Sequence, residues 1–259
     1  MPATPLISEA WNAGAGLMVP TYEFKPENIE TAIKEIFIKH SPTGTADFDM
    51  YDPGHEELCK MFVVAKYGAN VRTAHMFTNF SNSTRLDRKC TAYQAAHATS
   101  AAPTFFPPIM INAQTFIDGG LGYNHPTYYA LDQDQLLAND SQLHCLVSLG
   151  TGQEALIPGV GSNLQLVKSM SSLVTECDIT TENVSKTLKR NQRLNRYFRL
   201  NAPGMANIKL GEWEEAGTIV GLTEVYMEKE HPKAMVGKAA RLLLRQETLA
   251  DLTSPYSRG

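Results

Sequence analysis

Between residues 91 and 126 the chain is punctuated so heavily that few folds remain open to it. Ala92, Ala95, Ala96, Ala98, Ala101 and Ala102 follow Thr91 and run into Pro103. Alanine is the strongest helix former, and so many small side chains let a helix press close against a neighbouring backbone. Pro103 ends that helix at or near Ala102, because the residue before a proline is pushed out of the helical region. Farther on, Thr115, Phe116 and Ile117 predict a short apolar strand that delivers Asp118 at its C-terminal end. Gly119 and Gly120 then let the backbone turn sharply without a Cβ clash. Open α/β sheets place functional groups at the C-terminal ends of strands, which makes Asp118 the leading candidate for chemistry. Taken alone, Asp-Gly after a strand is more often a plain turn, by roughly two to one.

The surrounding residues shift that balance. The run A-T-S-A-A-P-T-F-F-P-P over 98–108, F-I-D-G-G-L over 116–121 and N-H-P over 124–126 form one ordered set. This set closely resembles the patatin-like phospholipases, a family of lipid acyl hydrolases. The resemblance implies a hydrolase of carboxylic esters or phospholipids working through a Ser-Asp dyad. Asp118 would be its proton acceptor, with Gly119 and Gly120 completing the Asp-Gly-Gly motif. The likeness runs from residue 22 to residue 227, and its second specific motif is Ser148-Leu149-Gly150-Thr151-Gly152.

The family's nucleophile sits in a G-x-S-x-G elbow and its oxyanion loop is glycine-rich; this sequence contains neither, and Gly14 and Gly16 have no serine between them. Ser100, at a helix end, is expected to bond the local backbone, and Ser148, inside an apolar strand, has no sharp turn to expose it. Neither is expected to replace the nucleophile. His97 stands where the family's stretch carries arginine, and its charge is weaker and pH-dependent. The expectation is therefore the C-terminal portion of the domain only, retaining the Asp half and inactive alone. A second reading is a non-catalytic relative that binds lipid or protein.

The fold implied is α/β: an incomplete patatin-like three-layer arrangement, with a short mainly parallel sheet, flanking helices and a helical C-terminal portion. Residues 1–21 are expected to be loosely ordered, 22–131 to be the C-terminal part of the patatin-like domain, and 132–259 an extension packed on it. A missing inner strand would leave the apolar strands at 61–65 and 144–149 with an unpaired edge, which a partner chain completing the fold would cover.

Local patterns predict the other elements. Ile29, Ala32, Ile33 and Ile36 fall at i, i+3, i+4 and i+7 behind Pro26, predicting a helix that ends near His40 and a polar loop over 41–54. Apolar runs at 61–65 and 74–79 predict neighbouring buried strands, joined closely enough for a hairpin. A helix is expected over 126–137, a buried strand over 144–149 and an edge strand over 197–201. Two apolar stripes, Leu166-Met170-Leu173-Val174-Cys177 and Val236-Ala239-Ala240-Leu243, predict core-facing helices. Gly150 and Gly152 make no phosphate loop, since no Gly-Lys-Ser/Thr follows; the resemblance gives them a structural role at a strand end.

Composition narrows the partners. Hydrophobic content of 43% and charged content of 19% over 259 residues suit a globular chain with a sizeable core. A net charge of -4 argues against nucleic acid and gives no electrostatic reason to dock on anionic membrane. Cys59, Cys90, Cys145 and Cys177 lack C-x-x-C spacing and read as small core residues of a reducing compartment. The seven histidines include no H-x-x-x-H pair, so neither a metal nor a cofactor is expected. No apolar run reaches the ~20 residues of a membrane span, and the first residues lack a basic start followed by an apolar stretch, so no secretory signal is expected. The expectation is a cytoplasmic chain that meets a lipid or acyl-ester substrate, with membrane contact peripheral at most.

Overall fold

The computed structural model describes residues 22–41, 43–55, 59–81, 90–103, 105–137, 143–152, 164–205, 208 and 211–244. The chain divides into two compact units, 1–123 and 124–259. The loosely ordered N-terminus expected over 1–21 lies outside the described residues.

The first unit opens with α1, Pro26–His40. Pro26 costs nothing in a first turn that lacks donors to lose, while Glu27 at the start and Lys39 and His40 at the end complement the helix dipole. Four strands follow around one helix: β1 Phe62–Tyr67, β2 Asn70–Thr78, α2 Ala92–Ser100, β3 Ile109–Ile111 and β4 Gln114–Asp118. Their order in the sheet is β2-β1-β4-β3, with every neighbouring pair antiparallel.

The α/β class is the one read from the sequence, whereas the direction of this sheet differs from the mainly parallel arrangement that the resemblance implied. The reason is connection length. Only Gly68 and Ala69 separate β1 from β2, and only Asn112 and Ala113 separate β3 from β4; two residues permit a hairpin and nothing else. Asn112 and Ala113 both hold positive φ, 49° and 62°, as the type I′ hairpin turn requires. β1 is accordingly an interior strand, paired along its length with β2 and over Ala65–Tyr67 with β4, not the open edge expected at 61–65.

The helix α2 packs on this sheet through its alanines. Ala95 and Ala98 are fully buried in a core that also holds Met50, Phe77, Cys90 and Phe116, and Ala101 just beyond the helix is fully buried too. A capping box starts the helix: Thr91 Oγ1 accepts from the Gln94 N–H, and Gln94 Oε1 accepts from the Thr91 N–H. Aromatic rings fill the sheet beside it, with Phe77 and Phe116 meeting edge to face at 5.0 Å between centroids.

The second unit contains α3 Thr127–Leu137, β5 Leu146–Leu149, α4 Leu164–Arg190, β6 Tyr197–Leu200, α5 Ala216–Met227 and α6 Glu230–Leu243. β5 and β6 pair in parallel, from Leu146 opposite Tyr197 to Leu149 opposite Leu200. Parallel strands need a long crossover, and α4 supplies it. Leu131, Val184 and Leu188 form one small core, and Phe198, Ala239 and Leu242 another.

Two sequence expectations need correction in this unit. α6 buries Pro232, Ala239 and Leu242, with Met235 packed against them, while Val236 is exposed and Leu243 is 64% exposed. The stripe 232, 235, 239, 242 has helical spacing too, and Phe198 selects it over the one read through Val236 and Leu243. Cys59 is exposed, while Cys90 is buried as expected and Cys145 and Cys177 are half-buried; none of the four is in a disulfide. The side chains of the stripe at 166–174 lie outside the described residues.

Ala113 occupies the left-handed region without being glycine, at a cost of roughly 1–2 kcal/mol, part of which glycine gives back through its freer unfolded state. We expect Ala113→Gly to stabilise the chain by about 0.5–1 kcal/mol, seen as a higher urea midpoint with unchanged slope.

Candidate active site

Asp118 is the last residue of β4, and three contacts fix where it points. Its N–H donates to the Ala101 carbonyl at 3.0 Å, just past the end of α2. In the ladder it stands opposite Ala65 of β1. Its Oδ1 accepts the Gly120 N–H at 2.6 Å, closing a short local turn of the kind aspartates favour. Asp118 has no other side-chain hydrogen bond among the described residues.

Gly119 is required by its surroundings. A Cβ there would lie 2.8 Å from the Val64 carbonyl carbon and closer still to its oxygen. The same oxygen accepts the Thr99 hydroxyl at 2.6 Å, tying α2 to β1. The turn beyond is held as well: Lys66 Nζ donates to the Leu121 carbonyl and lies 5.2 Å from the centre of the Tyr123 ring. Lys66 is itself buried, so its charge needs such oxygen and ring partners. Sequence reading passed over Lys66 and Thr99. The available signal was a lysine inside the apolar run F-V-V-A-K-Y, since a buried cation implies an acceptor nearby.

Burial pushes the Asp118 carboxyl above its ordinary range, and the Gly120 N–H offsets part of that shift. The carboxylate is thereby a stronger base than a solvated one.

The other expected residues are placed as follows. Ser100, the last residue of α2, is exposed and shares no hydrogen bond with the Asp118 carboxylate. Ser148, in the second unit, has its hydroxyl engaged by Thr127 Oγ1 at 2.9 Å and by Arg199 Nη1 at 2.9 Å. His97 is 2% exposed, its Nδ1 3.4 Å from Glu30 Oε1 but without a well-formed hydrogen bond. Burial lowers its pKa, outweighing the pull of Glu30, so near neutral pH the ring is a packed, uncharged group. Gly150 and Gly152 serve structure: a Cβ on Gly150 would lie 2.5 Å from Asn201 Cγ, and the Gly152 N–H donates to Asn201 Oδ1 at 2.9 Å. Among the described residues no group of three His, Cys, Asp or Glu side chains is placed to hold a metal ion.

The raised pKa of Asp118 has a definite consequence for stability. The folded state holds its proton more tightly than the unfolded chain does, so stability falls as pH rises from the unfolded value of about 3.9 through the higher folded value. An asparagine in its place would keep the acceptor for Gly120 without the buried charge. Asp118→Asn is therefore expected to be more stable than the parent at neutral pH, with the gap closing as pH falls toward about 4, measured by urea unfolding across pH.

Residues 7–131 match the family model for patatin-like phospholipase. The chain is 31% identical over 167 residues to calcium-independent phospholipase A2-gamma of Rattus norvegicus, covering 63% of this chain and 21% of that protein. It is 30% identical over 161 residues to calcium-independent phospholipase A2-gamma of Homo sapiens, covering 60% and 20%. It is also 38% identical over 60 residues to phospholipase A I of Arabidopsis thaliana, covering 23% and 5%. At its widest in these three, the match spans 21% of the relative's length. Asp118, with the glycines that shape its turn, falls inside the matched segment, and residues 7–131 are accordingly a partial patatin-like phospholipase domain.

Proposed function

We propose that this chain carries the carboxylate half of a lipid acyl hydrolase, with Asp118 as the proton acceptor of a Ser-Asp dyad. The observation that supports this most directly is the state of the carboxylate. One oxygen is held by Gly120, the other has no partner among the described residues, and burial raises the group's basicity. A general base needs that combination of fixed orientation and free lone pair.

The chemistry follows from ester hydrolysis. A serine hydroxyl attacks the acyl carbonyl while Asp118 takes its proton; the carbon–oxygen bond to the leaving alcohol breaks, and that alcohol receives the proton. Water then hydrolyses the acyl-enzyme by the same exchange. Gly119 and Gly120 shape the turn that aims the carboxylate. The relatives are phospholipases by name, which supports an acyl ester of a phospholipid as substrate. Four cysteines outside any disulfide support a cytoplasmic setting. No helix among the described residues is long and apolar enough to cross a membrane, in keeping with peripheral contact with lipid.

The sequence holds no G-x-S-x-G elbow, so hydrolysis is expected only when a segment carrying the nucleophile completes the site. The same feature favours the second reading, a non-catalytic relative that keeps a lipid- or protein-binding surface. Loss of a serine nucleophile can lower turnover by about a millionfold. We therefore expect the purified chain to hydrolyse neither a short acyl ester nor a phospholipid vesicle. Co-expression with a relative's elbow-bearing fragment should restore hydrolysis for the parent and not for Asp118→Ala. Hydrolysis by the isolated chain that vanishes in Asp118→Ala would mean a nucleophile lies within it. Failure of complementation, together with lipid binding that survives Asp118→Ala, would favour the non-catalytic reading.

A further inference from the structure

The second unit contains a cluster of polar side chains that the Asp118 site does not use. Residues 197 and 199 of β6 share one face, and their ladder partners are 146 and 148 of β5, so Tyr197, Arg199 and Ser148 sit side by side. Arg199 Nη1 donates to Ser148 Oγ at 2.9 Å, and Ser148 in turn meets Thr127 Oγ1 at 2.9 Å. The absence of a side chain at Gly150 makes room for the guanidinium, since a Cβ there would lie 2.8 Å from Nη2. Among the described residues Arg199 has no carboxylate partner.

Two further groups are left incomplete. His125 is 4% exposed, yet neither ring nitrogen has a hydrogen-bond partner among the described residues. Burial, and secondarily the nearby Arg199 guanidinium, lower its pKa to about 4 while its own backbone pulls the other way, so at neutral pH the ring is uncharged and carries one N–H. The buried Tyr197 hydroxyl faces the Ser148 and Thr181 hydroxyls without a well-formed hydrogen bond to either. Thr181 spends its own hydroxyl on the Cys177 carbonyl at 2.8 Å.

Buried polar groups are almost always paired, and orphans point to a missing water or ion. A guanidinium, an imidazole N–H and a phenol O–H can all donate here, and among the described residues no carboxylate pairs with them. We propose that Arg199, His125 and Tyr197 form an oxyanion site whose occupant is a phosphoryl group. Arginine's planar fork matches two oxygens of such a group, and further donors near it suit an oxyanion with more than two oxygens better than a carboxylate. Arg199 is only half-buried, so the cluster reaches solvent through it. The proposal does not rest on the reading of Asp118.

Two soluble probes distinguish the source of the phosphoryl group: inorganic phosphate for a free anion, and glycerophosphocholine for a lipid headgroup diester. Calorimetric titration of the full chain, in chloride at matched ionic strength, should show saturable binding of at least one probe. Whichever binds more tightly assigns the source. Arg199→Gln is expected to weaken that binding by about tenfold or more, the worth of a hydrogen bond to a charged group. Tyr197→Phe, which removes one hydroxyl and little else, should weaken it severalfold and keeps the test valid if Arg199→Gln fails to fold by circular dichroism. Absence of saturable binding of both probes to the parent chain would overturn the proposal. So would an affinity that Tyr197→Phe leaves unchanged.

Discussion

The carbonyl oxygen of Val64 is the point on which the geometry around Asp118 depends. It receives the Thr99 hydroxyl from the last turn of α2, and it leaves Gly119 no room for a Cβ. Because Ala65, the next residue of β1, is the ladder partner of Asp118, one peptide of one strand sets the distance among helix, sheet and turn. The alanines of α2 are a consequence of that distance. A leucine at Ala98 would need volume that a helix tied to β1 by a short hydrogen bond does not leave. Glycine at 119 and small residues in α2 are thus two expressions of one close approach.

The turn that follows is held from both ends by groups of opposite character. Asp118 accepts the Gly120 N–H, and Lys66 donates to the Leu121 carbonyl. Each ionisable group satisfies a backbone atom that a sharp turn would otherwise leave bare. The two do not neutralise one another through a direct ion pair, which is why the Asp118 pKa is raised by burial instead of lowered by a neighbouring cation.

How much of this was legible in the sequence varied with the range of the interaction. α1, the hairpin of β1 and β2, the end of α2 before Pro103 and the strand delivering Asp118 all follow from residues within a few positions of one another, and all are present. Strand direction follows from connection length and not from the family likeness, since two-residue links admit only antiparallel neighbours. The strand β3 escaped notice since Ile109–Ile111 is too short for its period to register, and its turn carries Ala113 where glycine would have signalled the left-handed region. The buried face of α6 was ambiguous because Leu242 and Leu243 are adjacent, and only packing against Phe198 chooses between them. Asp118 and its glycines were readable as a motif; Lys66, whose partner lies far along the chain, was not.

β5 shows the limit of hydrophobic pattern as a guide most clearly. Val147 and Leu149 are 42% and 72% exposed, while Ser148 between them is buried. A strand with one solvated face ordinarily turns its apolar residues inward, so the polarity of this one is reversed. Burying a hydroxyl at that position is tolerable only because Thr127 and Arg199 both bond to it. Burying the hydroxyl as a structural device alone would be a poor exchange, since an alanine at 148 packed beneath an outward-facing arginine would demand no partners. The inversion makes physical sense if the inner face of this small sheet exists to assemble donors, with Ser148 acting as the brace that holds the Arg199 fork in one orientation.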